Sequence, residues 1–541
     1  TATRLNGYYI FIHQYFPILP PPVSSTTIVD NSIARSQDEL DDGDVTFCPS
    51  SPLSLAIAAI LALIPHDQCP EPSSEDAIVF RRRYSHFLVQ SAMESIDIES
   101  EMPGSSTSPD KALSEDHAGC PRAPFHPMVP VELESVIALA LLSIYEYSQR
   151  GNIARMRNRA GQALVNAMDL CLHSAGEEYD HFEEARRRAW WMTYVCVCQG
   201  SIYSSTPPII SVLDPSFTRQ YPSIAADAEA WPFFIESQQT ILRATQFVAD
   251  LNKTLEKGED LQIIRTRMQE LESDLVPLVA KADAFAQGIP SFNPIDSEEE
   301  IVAETLKVMA RIKINSARIK LHRYCAFFDH PIFSRKHCDL KPVPLPGSVG
   351  RGRTASISSI GCGCSGSFGM MIESSPGGGI PSKDLPTFSN DDDALEQFPF
   401  SSRTSQKICL KAALNIVQSF EALPYPFVVS NKQIPRTMPS MSCCAMQSSY
   451  ALLMLRQKTL SEQRCSNDVY VQTLFVKIHR ALQSIAGTLD NYAIAAEAIA
   501  GMRGVYTPQG LGLKLWKASD NGEADSLSDQ IRESIQVHFG G

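Results

Sequence analysis

The chain has 541 residues, of which 44% are hydrophobic and 20% charged. This is ordinary globular usage with enough apolar material for a sizeable core, and it excludes wholesale disorder. The 47 basic and 61 acidic residues leave a net charge of −14. Non-specific binding to phosphate backbones needs a basic surplus, so the chain taken as a whole is not the DNA-contacting part of a protein.

At roughly 150 residues per domain the length allows two to four units, or one large helical body. The 14 cysteines are spread thinly along the sequence, unlike the dense framework of a small secreted domain, and are expected as reduced thiols. The longest apolar run, Leu53 to Ile64, is shorter than the ~20 residues of a spanning helix, so no membrane association is expected.

In chain order, the aromatic stretch Gly7 to Leu19 predicts a helix that stops at Pro20, Pro21 and Pro22, because proline removes donors and restricts its neighbour. Residues 23–50 are polar and acidic and read as loop. A short helix is expected over Leu53–Ile64, closed by Pro65. Ser73 with Asp76 predicts a capping-box start for a helix to about Ile96, followed by a Ser/Pro/acidic linker over 97–128.

A dense helical block follows. Leu133, Val136, Ile137, Ala140, Leu141 and Ile144 recur at three-and-four spacing and share one helix face. Gly151 predicts the stop. Ile153, Met156, Ala160, Leu164 and Ala167 repeat the pattern, and Glu183–Ser204 forms a third helix. Further helices are expected over roughly 231–256, 259–287 and 298–328. Residues 340–402, rich in Ser, Gly and Pro and containing Gly377-Gly378-Gly379, read as a disordered linker. Helices return at about 404–422, 439–459, 468–488 and 490–502, with a short helix or tail at the end. The fold class is therefore all-α, an array of antiparallel helix pairs with long disordered loops.

The most informative segment is Glu183-Glu-Ala-Arg-Arg-Arg-Ala-Trp-Trp-Met-Thr-Tyr-Val195. It resembles the signature of the regulatory domain of fungal zinc-cluster transcription factors, the middle homology region of xylanolytic-activator type. There an acidic residue precedes two or three arginines, a tryptophan pair and an apolar helix. The matching positions are Glu184, Arg186, Arg187, Arg188, Trp190 and Trp191. Upstream, Arg159–His173 is similar to the family helix ending in a Gly-Leu-His-like turn. Downstream, Thr206-Pro207-Pro208-Ile209 resembles its proline-then-isoleucine segment, and Tyr9–Pro17 its aromatic entry helix. Cys198 and Gln199 stand where the family has Asp-Arg, and Ser205 and Thr206 where it has Gly-Arg.

The resemblance spans about residues 7–290 and implies a regulatory domain over 1–290. A helical continuation over 291–339, the linker 340–402 and a C-terminal helical region 403–541 packing on the first domain complete the expected organisation. It implies a nuclear regulator of metabolic RNA polymerase II genes, in which this region controls an attached zinc-cluster DNA-binding module. The partners implied are DNA through that module, co-activators or corepressors and a small-molecule effector, with a homodimer left open. Zinc is implied only in a cluster upstream of Thr1, since no C-x2-C-x6-C spacing occurs in this chain. Physically, arginines beside tryptophans read first as a core-forming element, because tryptophan is a large apolar anchor and arginine forks to carboxylates or stacks on rings.

Other signals point less far. Gly361-Cys-Gly-Cys-Ser-Gly366 spells G-x-G-x-x-G without the strand and helix that a dinucleotide site needs. His337-Cys338 and Cys362-Gly-Cys364 are too far apart for the short rigid spacings of structural zinc. Asp392-Asp393-Ala-Leu-Glu396 resembles the acidic motif of all-α terpenoid synthases, but at the second motif of that family, Asn467-Asp468, Val471 stands where a serine belongs. His13, His86, His173 and His322 read as satisfied helical histidines, and Arg81–Arg83 as a solvated helix face. No catalytic residue and no metal ligand is assigned. Arg351-Gly-Arg-Thr-Ala-Ser356 places Ser356 at basophilic-kinase spacing, a candidate phosphorylation site. A helical scaffold without DNA function and an all-α enzyme are the competing classes.

Overall fold

Capping chemistry sets the helix boundaries. Ser51 lies in extended backbone and accepts from the Ser54 amide (3.1 Å), and Pro52 takes the first helical position, where its missing N–H is no loss. The computed structural model describes residues 2–22, 51–65, 71, 73–101, 122–175, 180–287, 298–328, 398–424, 436–438, 441–462 and 469–493. It begins with α1 (Ala2–Tyr8), which passes into a π-helical turn at Tyr9–His13, and α2 (Pro52–Leu61) follows Ser51. The next helix, α3 (Glu75–Ser100), is capped by Ser74, whose hydroxyl accepts from the Ala77 amide (3.3 Å). The start therefore falls one residue beyond the expected Ser73. The residue three positions on is then Ala77, which has no carboxylate to close a capping box, and Glu75 and Asp76 instead face the helix dipole.

Helix α4 (Val131–Ser148) ends as expected at Gly151. A φ of +59° turns the chain so that the Gly151 and Asn152 amides reach the carbonyls of Tyr147 (3.0 Å) and Glu146 (2.9 Å). Asn152 then caps α5 (Ile153–Asp169) by accepting from the Arg155 amide. The chain continues through α6 (Glu183–Ser204), α7 (Ala230–Lys257), α8 (Gln262–Gln287), α9 (Glu298–Phe327), α10 (Ser402–Ala422), α11 (Ser442–Glu462) and α12 (Val469–Ala493). There is no strand among the described residues, and the fold is all-α.

Consecutive helices pack as pairs: α2 with α3, α4 with α5, α7 with α8, α10 with α11 and α11 with α12. Helix α9 lies at the centre, against α7, α8, α10 and α11, and it is buried almost all round from Val302 to Phe327. One hydrophobic cluster runs from Tyr8 to Tyr492. Gly200 allows α5 and α6 to approach closely, since a Cβ there would lie 3.0 Å from Arg157 Cγ.

Four boundaries besides the α3 start differ from the sequence expectation. The entry helix, expected to run up to Pro20, ends at His13, because the Tyr8 hydroxyl takes the Phe16 carbonyl and the Ile18 and Leu19 amides. Helix α3 extends to Ser100, and of the linker expected over 97–128 residues 102–121 lie outside the described residues. Its end is not loose, because Phe125 and His126 are buried. Of the linker expected over 340–402, residues 340–397 lie outside the described residues, while Phe398 is buried in the core and α10 already starts at Ser402 behind the Ser401 cap. A single helix, α12, covers the point where two were expected, because Ile478, Ala481, Ile485, Leu489 and Tyr492 form one uninterrupted buried stripe. No helix among the described residues is long and apolar enough to cross a membrane.

Because Gly151 occupies a left-handed conformation, Gly151→Ala is expected to destabilise the chain by about 1 kcal/mol. Urea unfolding followed by circular dichroism measures it, and an unchanged midpoint would refute the role given to this turn.

Candidate functional site

The arginine–tryptophan segment forms the first half of α6, and each arginine meets a different set of partners. Arg186 makes a forked pair with Asp180 (2.6 and 2.8 Å), just before the helix. Arg187 donates to Glu183 one turn back (3.1 Å) and to the Gln220 side chain (2.9 Å). Arg188 has no exposed surface. Its guanidinium donates to Glu184 (2.6 Å), to Glu299 at the start of α9 (2.6 Å) and to the Leu19 carbonyl (3.1 Å), and it stands 5.9 Å over the Trp231 ring. Glu183 also accepts twice from Arg219 Nη1 (3.0 Å each), whose Nε donates to the Leu172 carbonyl (2.9 Å).

The tryptophans close the same end of the helix. Trp190 is fully buried, packed edge-on to Phe217 at 5.0 Å and beside His173 at 5.8 Å. Trp191 is buried with its indole N–H donating to the Gln220 carbonyl (3.0 Å) and its ring 4.5 Å from Tyr221. Aromatic rings with a polar edge suit such a seam between helix and loop.

From Arg188 the polar network extends into the N-terminal segment. His13 Nε2 lies 3.0 Å from Glu299 Oε1 and its Nδ1 lies 3.3 Å from the Tyr8 hydroxyl. That hydroxyl donates to the Phe16 carbonyl (3.0 Å) and accepts from the Ile18 and Leu19 amides (3.1 Å each). The Arg188 guanidinium and His13 hold the Glu299 carboxyl down at about 2 against the opposing pull of burial. Burial lowers His13 below its ordinary value, partly offset by Glu299, and raises the Tyr8 phenol. One buried cation thus ties together α6, α9 and the aromatic entry segment, whose sequence separation from Arg188 is 111 residues for Glu299 and 169 for Leu19.

A second buried cation lies deeper. Lys313 of α9 is 2% exposed, with its ammonium 3.8 Å from the Phe234 ring centroid. Burial lowers it to about 7, while the thiols of Cys444, Cys198, Cys196 and Cys443 pull the other way. Burial also pushes the Cys196 and Cys198 thiols up to about 12, so they are protonated and chemically inert at neutral pH.

The expected signature residues Glu184, Arg186, Arg187, Arg188, Trp190 and Trp191 are therefore assembled at one end of α6, whereas Pro207 is exposed in the following loop. Gln199, at one position that departs from the family pattern, accepts from Gln238 of α7 (3.3 Å). Of the four histidines expected to be satisfied, His13 is bonded at both nitrogens, and His322 bonds Ser405 (3.2 Å) and lies 3.1 Å from Glu272. His86 and His173 each keep a buried Nδ1 without a hydrogen-bond partner, and His322 keeps its Nε2 likewise, near Glu272 but not hydrogen-bonded to it. Ser356, the cysteine pairs at 337–338 and 362–364, Asp392, Asp393 and Asn467-Asp468 lie outside the described residues.

Sequence reasoning did not single out Glu299, Arg219 or Asp180. The run Glu298-Glu299-Glu300 at a helix start was the available signal, but nothing in the spacing pointed it at Arg188. Among the described residues no group of three His, Cys, Asp or Glu side chains is placed to hold a metal ion. The chain matches no family model, no curated protein and no solved structure.

Two predictions follow from these cations. Removing Arg188 leaves Glu299 buried beside His13 without its main counter-charge, so Arg188→Met is expected to cost about 3–5 kcal/mol, and the double variant with Glu299→Gln less than the sum of the two. A double-mutant cycle in urea reads the coupling, and strict additivity would show that the pair does not interact. Because the Glu299 carboxyl is depressed in the folded state, its contribution is present above the ordinary carboxylate value and is lost as pH falls from about 4.5 through about 2. Glu299→Gln should flatten that acid limb.

For Lys313 stability again rises with pH, but here the charged form is the one that burial disfavours. Between about 7 and 10.5 the unfolded chain holds a proton that the folded chain lacks, so stability rises with pH in that window. Lys313→Met is expected to stabilise the chain at pH 7 by on the order of 2–4 kcal/mol, the gap narrowing by at most about 1.4 kcal/mol per pH unit above that. Thermal melts of both proteins from pH 6 to 8.5 measure the gap, and one that does not change with pH would contradict a neutral buried amine.

Proposed function

We propose that this chain is the regulatory region of a fungal sequence-specific transcription factor acting on RNA polymerase II genes, controlling a zinc-cluster DNA-binding module encoded upstream of Thr1. The observation that carries the reading is the Glu184, Arg186–Arg188, Trp190-Trp191 signature, found in order with its upstream and downstream companions. Its support is physical as well. These side chains organise a helical core rather than a reaction centre, and we assign no catalytic residue to the chain. The net charge of −14 leaves phosphate binding to another part of the protein.

Under this reading the protein is nuclear, zinc belongs to the upstream cluster, and the helical body meets co-activators or corepressors. Its regulation is a population shift, in which a bound effector favours one packing of the helices over another and so exposes or masks a partner surface. The α6–α9–entry-segment network is where such a shift is transmitted, because three separate stretches share one buried charge. Ser356 phosphorylation would add negative charge to the same regulatory chain.

The test is a reporter assay in a fungal host with residues 1–541 fused to a heterologous DNA-binding module, together with the coding sequence upstream of Thr1. Six closely spaced cysteines upstream, and reporter output that responds to nutrient regime and loses that response in Arg188→Met, are the expected results. A reading frame with no such cysteines and a fusion without effect on transcription would overturn the proposal.

A further inference from the structure

Helices α3 and α5 both lean on α4 but leave a trough between them. Its cavity of about 470 Å³ is within the range of small-molecule sites. The trough has a cationic and an anionic wall. Arg155 and Arg159 project from successive turns of α5, with His86 of α3 opposite, and Glu94 and Asp97 line the α3 side. Val89, Met93 and Ile98 supply an apolar floor, and Ile98 is 67% exposed, an unusual state for an isoleucine on an ordered helix.

The polar atoms here are incompletely used. His86 Nδ1 and Arg159 Nε are buried without a partner, as is Oε1 of Glu146, the α4 carboxylate beneath them. Arg159 spends one N–H on Gln162 (3.2 Å) and makes no ion pair, and Asp97, close enough to act on it electrostatically, is likewise unpaired among the described residues. Glu146 is held by Arg150 (3.3 Å) and lies 3.8 Å from Arg155, and its charge also acts on Arg159, though without an ion pair or hydrogen bond between the two. Buried donors left open next to an unpaired carboxylate are costly unless something completes them.

We propose that this trough binds a free α-amino acid with an apolar side chain. The ligand carboxylate takes the Arg155 and Arg159 guanidinium groups that line the trough, as planar forks suit. Its ammonium, attached to the adjacent carbon, faces Asp97 and Glu94. Its side chain lies on Val89, Met93 and Ile98. A dicarboxylate is rejected by the acidic wall, and an amine without a carboxylate by the arginines. Charge at both ends of one short ligand is what the two walls select. Since α3 and α5 face each other across this space, an occupant couples them, which deepens the regulatory reading above by naming the effector class. The binding claim itself stands apart from transcription.

The test is calorimetric titration of the full 541-residue chain with L-leucine, L-methionine and L-phenylalanine. N-acetyl-leucine, leucine methyl ester and 4-methylpentanoate serve as blocked or truncated probes. Saturable binding of at least one free amino acid is expected, weakened about tenfold or more when either charge is masked. Arg159→Gln should weaken the amino acid by a similar factor. Asp97→Asn, a change at an exposed position, should weaken the amino acid but not 4-methylpentanoate, with far-ultraviolet circular dichroism showing both variants folded. No saturable binding of any of the three, or equal binding of masked and free forms, overturns the proposal. Binding without any effect on the reporter fusion leaves this site standing and counts against the transcriptional reading. Nutrient-responsive reporter output from a chain that binds none of the three amino acids does the reverse.

Discussion

A guanidinium with no access to water is the constraint on which the rest of the structure depends. Desolvating Arg188 is tolerable only where carboxylates and a carbonyl surround it, and Glu184, Glu299 and the Leu19 carbonyl do so from three different stretches of chain. The helix α6, the start of α9 and the exit of the entry segment are thereby fixed relative to one another before any apolar packing is counted. Once these are set, Trp231 packs under the charge, and α9 can run through the centre of the molecule.

The entry segment then joins the two ends of the chain. Tyr15 donates to the Pro424 carbonyl after α10 (2.6 Å), and the Thr437 hydroxyl donates to the Phe11 carbonyl. The Arg436 amide in turn binds Asn491 of α12 (2.9 Å). A short aromatic stretch at residues 8–19 therefore contacts both the signature helix and the C-terminal helices. This makes a single mechanical body of regions that composition alone separates by a long Ser/Gly/Pro-rich tract.

Much of this was legible in the sequence. Helix periodicity and the glycine at 151 follow from local physics and survive in the structure, whereas the entry helix stops at His13, before the prolines at 20–22, because the Tyr8 hydroxyl holds the backbone of Phe16, Ile18 and Leu19. The α3 start slipped by one residue because Ser73 and Ser74 are chemically equivalent as caps and only the backbone path chooses between them. The break expected in α12 was absent because its buried stripe outweighs the local glycine. The candidate site was half legible. The motif placed six residues on α6, and the i,i+4 pairs Arg187–Glu183 and Arg188–Glu184 follow from helix geometry. Glu299 and the Leu19 carbonyl did not, because pairing across more than a hundred residues is decided by topology, and no periodicity within one helix encodes it.

The two buried cations of the core also differ in a way that bears on function. Arg188 is fully compensated, so its network rigidifies the junction it occupies. Lys313 faces neutral thiols and an aromatic ring, and its amine sits near its titration point at physiological pH. A buried charge without a carboxylate weakens the packing of α9 against α6 and α11. The structure therefore combines a stiff seam at one end of α9 with a marginal one at its middle. A ligand at the proposed α3–α5 trough would act on α9 through α5 and α6, whose Arg188 meets Glu299 at the start of that helix.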